Sequence, residues 1–244
     1  MTAPPLVRHV EHVMGLPISV ALRGRHAGDG RGRAAWAATL AVLRDADRVF
    51  STYRADSVLS RLGRGELDLD QCPPEFFEVL ALGEAARRDS GGAFDVRRGG
   101  LLDPSGVVKG WAAQRAAAHL ADLPDTDFCL SAGGDITCRT LDPTAAPWRI
   151  GIEDPHDPSR LAAVVPVHTG AVATSGTARR GAHIVDARTG RPPTAPAASV
   201  TVVGAALTSV DIDATAAFAL GVDGGRWLAG RGHWAVFIVD AEGP

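Results

Sequence analysis

Lys109 is the single lysine among the 25 lysines and arginines of this 244-residue chain. It stands in LDPSGVVKGWAAQRA (102–116), bracketed by Gly106 and Gly110. A helix beginning there offers backbone N–H groups, and with one ammonium they form a site for an anion such as a pyrophosphate. A chain that has exchanged nearly all its lysines for arginine keeps one where a compact ammonium serves and a planar guanidinium does not. Chance survival on the surface is the plain alternative. Further along, SVDIDATAAFALG (209–221) spaces Asp211 and Thr215 four residues apart, on one face of a helix. A carboxylate and a hydroxyl are hard oxygen donors, suited to Mg²⁺ completed by water and a substrate phosphate. The same spacing also fits a helix capped by Asp211 with Thr215 turned to solvent.

Three other segments place polar and glycine residues where a core would not want them. FSTYRADSVLSRL (50–62) offers the hydroxyls of Ser51 and Ser57 beside Tyr53, the only tyrosine, and reads equally as an exposed turn leading into a capped helix. LSAGGDITC (130–138) sets Gly133 and Gly134 at a strand end before an acid, which lets backbone approach a ligand or simply makes a tight turn. TSGTARRGAHIVDARTGRPP (174–193) is dense in hydroxyls, glycine and arginine, with His183 and Asp186 close together. Long loops of that kind tend to carry function.

Positioning these groups falls to a mixture of helices and strands. Residues 6–23 alternate and are rich in valine, predicting a strand or hairpin. GRHAGDGRGR then reads as an exposed turn. Trp36, Leu40, Leu43 and Ala46 recur at helical spacing over 33–49. A second helix is expected over 74–88, opened by Pro74, with Phe77, Leu80 and Ala81 on its apolar face. Residues 109–123 favour helix strongly. Short apolar runs then follow as strands (FCLSA, WRIGI, AAVVPVH, GAVATS, ASVTVVGA), with a helix over 211–220, a short one near Arg226 and a last strand HWAVFIVD. Helices early and strands late predict an α+β fold with largely antiparallel sheets, in one domain over 1–244.

Composition narrows the function. A net charge of −3 provides no electrostatic footprint for nucleic acid or an anionic membrane. Three cysteines without CxxC spacing argue against a zinc site or a disulfide framework. Charged residues interrupt the start, MTAPPLVRHVEHVMGLP, where a signal peptide needs an apolar core, and no run is long enough to span a bilayer. The expected location is the cytoplasm.

Taken in order, MG (14–15), STYRADSVLSRL, GAFDV (92–96), D-x-x-G-x-x-KG (103–110), GGDI (133–136), TSG (174–176), H-I-V-D-x-R-T-G (183–190) and D-x-x-x-T (211–215) resemble the FAD:protein FMN transferases, the ApbE-like family. The resemblance implies a T-fold-like α+β architecture that binds FAD beside a divalent ion. It implies that Met14, Tyr53 and the turn Ala93, Phe94, Asp95 contact the flavin nucleotide. Asp103 and Lys109 then hold FAD, and Gly133, Gly134 and Ser175 belong to the same pocket. The carbonyl of Gly106 with Asp211 and Thr215 binds Mg²⁺, and His183 beside Ile184 lines the reacting side, with His183 and Asp211 the candidate general bases. The implied reaction moves FMN from FAD onto a threonine or serine hydroxyl of an acceptor protein and releases AMP. Hydrolysis of FAD to FMN and AMP, or flavin binding without catalysis, would use the same residues.

Overall fold

A computed structural model describes residues 6–98, 100–178, 181, 183–194 and 197–240. The alternating start forms a hairpin of β1 (Leu6–Val13) and β2 (Leu16–Gly24). Its two-residue turn places Met14 at φ 58 and Gly15 at φ 68, the left-handed pair that matches the twist of a tight hairpin. Helix α1 (Gly30–Phe50) follows, and Asp29 caps it by accepting from the N–H groups of Arg31 and Gly32. The expected exposed turn at 24–33 is thus only partly so. His26 and Ala27 are buried, and a side chain at Gly32 would collide with the His26 carbonyl.

Three helices come next: α2 (Val58–Gly63), capped by Ser57, then α3 (Pro74–Asp89) and α4 (Ser105–Ala121). Between α3 and α4 lies a short hairpin of β3 (Arg97–Arg98) and β4 (Leu101–Leu102). The chain then runs through β5 (Thr126–Ala132), β6 (Asp135–Arg139), β7 (Trp148–Glu153), β8 (Leu161–Val167), β9 (Gly170–Gly176) and β10 (Ala197–Gly204). It closes with α5 (Leu207–Leu220), α6 (Gly224–Ala229) and β11 (Ala235–Asp240).

Seven strands form one sheet in the order β1-β2-β5-β6-β9-β10-β11, antiparallel at every junction, and β7 pairs with β8 in a separate ribbon. The α+β expectation with antiparallel sheets is met. Period-two alternation sorts side chains between two cores. Ala171, Ala173, Val200 and Val202 join the large core with residues of α1, α4 and α5, whereas Val172 and Val203 join Cys138, Ile150 and Val167 in a smaller core on the other side. Cys129 and Cys138 face each other across β5 and β6, and burial pushes both thiols up to about 12.

Helix α3 meets the expected stripe only at Leu80, which packs half-buried against the large core. Phe76, Val79, Gly83 and Ala86 face inward, while Phe77 is 44% exposed and Ala81 is exposed. The choice is made by partners distant in sequence. Phe76 stacks on Phe50 at 5.7 Å, and Phe50 meets Trp111 edge-on at 5.6 Å. Burying a ring of that size stabilises by about 2–3 kcal/mol, enough to decide between two apolar stripes. Among the described residues, no helix is long and apolar enough to cross a membrane.

Candidate functional site

The Gly133–Gly134 turn joins β5 to β6 with φ 62 and 107, and it delivers Asp135 to the first position of β6. Asp135 is 2% exposed. Its Oδ1 accepts from the backbone N–H of Thr174 on β9 at 3.1 Å, and its Oδ2 pairs with Lys109 Nζ. From the opposite side Asp211 of α5, 1% exposed, offers Oδ1 to the same ammonium at 3.2 Å and Oδ2 to the N–H of Gly110 at 2.8 Å. One cation therefore sits between two buried carboxylates, leaving a surplus of negative charge in a place shielded from water. Burial lifts the Asp211 carboxyl to about 7, with Lys109 opposing the rise and Asp135 adding to it. Burial also works against the charge on Lys109, but Asp211 and Asp135 outweigh it and hold the ammonium above the usual lysine value.

Glycine at 110 is a steric requirement. A Cβ there would lie 2.7 Å from Asp211 Cβ, 2.9 Å from Asp211 Oδ2 and 2.9 Å from the Leu207 carbonyl oxygen. The bare backbone lets α4 and α5 close until the Gly110 N–H reaches the carboxylate. In a regular helix that N–H serves the carbonyl four residues back, which is Gly106, so Asp211 competes for it. Gly106 itself abuts Phe94 and Thr215, where a Cβ would come within 3.0 Å of the Phe94 ring and 3.8 Å of Thr215 Cγ2. Thr215, one turn beyond Asp211, shares a hydrogen bond of 2.9 Å with Ser175 of β9.

Backbone contacts tie several of the surrounding turns to one another. The N–H of Gly133 donates to the Pro17 carbonyl at 3.0 Å, so the Met14–Gly15 and Gly133–Gly134 turns share one end of the sheet. The carbonyl of Ala93 accepts from Ala187 at 3.0 Å, tying the Ala93–Phe94–Asp95 turn to the loop that carries His183. In that loop Asp186 binds Arg188 through both oxygens, and Ile184 packs on the large core. Asp103 is exposed and accepts from Ser105 N–H at the start of α4, while Asp95 accepts from Arg97 N–H. His183 is exposed, with Nδ1 3.0 Å from the Gly181 carbonyl. Tyr53 is 95% exposed, and its backbone N–H donates to Ser51 Oγ. Residues 179, 180 and 182 of the TSGTARRGAH stretch lie outside the described residues.

Several expectations need correction. Lys109 does not mark a helix start, because α4 begins at Ser105 and places Lys109 in its second turn. The anion-binding role of nearby N–H groups falls with it at Gly110, whose N–H is already committed to Asp211. Asp211 is no cap either: α5 begins at Leu207, and Thr215 bonds Ser175 instead of facing solvent. Asp135 belongs to the site although the sequence alone does not single it out; an acid directly after two glycines is the signal that points to it. A cleft of about 490 Å³ between α3, α4 and α5 is lined by residues that include Trp111, Gln114, Ile212, Asp213 and Arg231, and by none of the Lys109 cluster.

The chain was compared with known proteins. The ApbE family model matches residues 14–103 and 97–238. The FAD:protein FMN transferase of Escherichia coli K12 is 29% identical over 151 residues, 58% of this chain and 43% of that protein. The enzyme of the same name from Vibrio cholerae is 30% identical over 147 residues, 57% of this chain and 44% of its own. The chain thus spans less than half the length of these curated relatives. Among solved structures, the ApbE protein of Thermotoga maritima superposes with a TM-score of 0.86 at 20% identity, covering 98% of this chain and 96% of that one. The apo flavinyl transferase ApbE of Pseudomonas stutzeri gives 0.81 at 24% identity, covering 100% and 93%. These likenesses establish the shared fold, and with a family match running from Met14 nearly to the end of the described residues, the chain belongs to the ApbE family.

Proposed function

We propose that this chain transfers FMN from FAD to a threonine or serine hydroxyl of an acceptor protein and releases AMP. The observation that carries the reading is the Lys109 ammonium between buried Asp135 and Asp211, with the Thr215–Ser175 hydroxyl pair alongside. The curated relatives carry the name of this activity. A new bond forms between the acceptor oxygen and the FMN-side phosphorus. The bond from that phosphorus to the bridging oxygen breaks, and AMP leaves with that oxygen.

Asp211, Thr215 Oγ1 and the Gly106 carbonyl are the donors that would hold Mg²⁺. They fit it as hard oxygens, and the surplus negative charge of the cluster is relieved by a cation. When bound, the ion supplies a Lewis acid and a clamp for pyrophosphate charge. Lys109 contributes a second, permanent positive charge on the same side and offsets the repulsion between Asp211 and Asp135. Ser175 orients the Thr215 hydroxyl. Of the two candidate bases, Asp211 has both oxygens engaged in the interior, so the proton of the acceptor hydroxyl goes to His183. With its Nδ1 hydrogen on the Gly181 carbonyl, the Nε2 lone pair has no partner among the described residues and can take that proton. Met14, the Ala93–Phe94–Asp95 turn, Asp103, Gly133, Gly134 and Ile184 form the walls that receive the nucleotide, and exposed Tyr53 is available to close over the flavin.

The test is incubation with FAD and Mg²⁺, with and without a peptide bearing an acceptor threonine, followed by mass spectrometry of peptide and nucleotides. Metal-dependent gain of one FMN residue on the peptide is the expected result. Free FMN and AMP without an adduct would replace transfer by hydrolysis, and intact FAD throughout would leave a binding protein.

A further inference from the structure

Helix α5 begins without a cap of its own. Ala206 stands at its N-cap with no side-chain hydrogen bond, and its first turn holds no acidic residue. The opening N–H groups of any helix lack intrahelical partners and need them from elsewhere. Here one partner comes from another helix: Thr208 N–H donates to Gln114 Oε1 of α4 at 2.9 Å. Gln114 lies one helical turn past Gly110, and Thr208 lies one turn before Asp211. The Gly110–Asp211 and Gln114–Thr208 contacts are therefore two rungs between antiparallel helices, at 2.8 and 2.9 Å. A single rung would leave α5 free to pivot, whereas two fix both its slide along α4 and its rotation.

We propose that Gln114 is a positioning residue for the Asp211–Thr215 pair, capping α5 from α4 so that both side chains point at the Lys109 cluster. The role rests on the reading of Asp211 and Thr215 as the donors that hold the metal. Removing the cap frees the Thr208 N–H into the cleft between α3, α4 and α5, which Gln114 and Thr208 both line. The first turn of α5 then loosens, and Asp211, in the next turn, keeps its bonds to Gly110 and Lys109 but on a helix start no longer pinned by the second rung. The helix stays folded, because its residues from Val210 to Ala219 are buried apart from Thr215, which is half-buried, so the change is a small re-aiming of Asp211 and Thr215 and not an unfolding.

The test compares Gln114→Met, which keeps length and helix propensity but lacks the carbonyl acceptor, with Gln114→Glu, which restores an acceptor. Mn²⁺ binding is followed by electron paramagnetic resonance without FAD, the half-saturating Mg²⁺ concentration is measured in FAD turnover, and folding is checked by thermal melting. Gln114→Met is expected to weaken metal binding about tenfold, the usual scale for losing a group that orients a ligand, with turnover at saturating Mg²⁺ kept within about twofold. Gln114→Glu is expected to recover wild-type affinity. Wild-type Mn²⁺ affinity in folded Gln114→Met protein overturns the positioning role, and so does equal weakening in both variants, which would make side-chain shape the cause. If Gln114→Met fails to fold, Gln114→Glu alone decides: affinity below wild type in a folded protein refutes the role. Wild-type protein that neither binds Mn²⁺ nor consumes FAD overturns the metal reading itself.

Discussion

Replacing Gly110 by alanine separates the requirements of the fold from those of the site. The new Cβ would sit 2.7 Å from Asp211 Cβ and 2.9 Å from both Asp211 Oδ2 and the Leu207 carbonyl oxygen. Carbon atoms in contact prefer about 3.5–4.0 Å, so α4 and α5 must part by close to 1 Å at this point. Overpacking of that kind costs about 1–3 kcal/mol. Alanine returns about 1 kcal/mol through its better helix propensity. The net loss is then about 0–2 kcal/mol, which for a chain of this size lowers the melting temperature by roughly 0–8 °C. Function should suffer far more, because a displacement near 1 Å at a reacting centre can cost about 100-fold in rate. The assay pairs thermal melting with FAD turnover, using Gly63→Ala, which has open space around its Cβ, as control. A Gly110→Ala protein with wild-type turnover would refute the claim that close approach of the two helices aims Asp211.

Four further outcomes are expected. Metal binding should depend on pH through Asp211: below about 7 a proton competes with the ion, so Mn²⁺ affinity falls about tenfold per pH unit and is flat above; equal affinity at pH 6 and pH 8 would remove Asp211 from the metal site. Because its folded value lies above the ordinary 3.8, the metal-free fold should also lose stability as pH climbs from about 4 to about 7, and thermal melts across that range test the sign. Lys109→Arg keeps the charge but puts a planar fork between two buried carboxylates, and FAD turnover should drop at least about tenfold, with wild-type kinetics marking the lone lysine as incidental. His183→Ala should reduce kcat by about 100-fold or more with FAD affinity and melting temperature unchanged, since the ring is exposed; a lowered melting temperature would point to a structural role instead.

The readable parts of this sequence were those where local pattern and tertiary need coincide. Trp36, Leu40, Leu43 and Ala46 had only one face to offer, and all four are buried. The four-residue spacing of Asp211 and Thr215 survived because the helix around them is continuous. Where two answers were locally equal, distant partners chose. Phe76 and Phe77 are adjacent, and Phe50 and Trp111 selected the first. The start of α4 was misplaced by four residues because SGVV looks like a loop edge, yet Pro104 before it suits a helix entrance. Asp135 is not legible as a site residue because its importance lies in Lys109 and Asp211, which only the folded chain brings near it. Gln114 carried no local sign of its bond to Thr208 for the same reason.

The Lys109 cluster also bears on when, during folding, a working site comes into being. Its members sit at 109, 135 and 211, so two long loops must close before all three meet. Contacts of such sequence separation are made slowly and late. Until α5 docks, Lys109 and Asp135 can pair alone as a neutral couple, with no surplus charge to attract a divalent cation. The same event that brings the second carboxylate also brings Thr215 to Ser175. If the cluster holds a divalent ion as proposed, a chain emerging during synthesis acquires its affinity for metal in one step near the end, and half-made molecules would not sequester the ion.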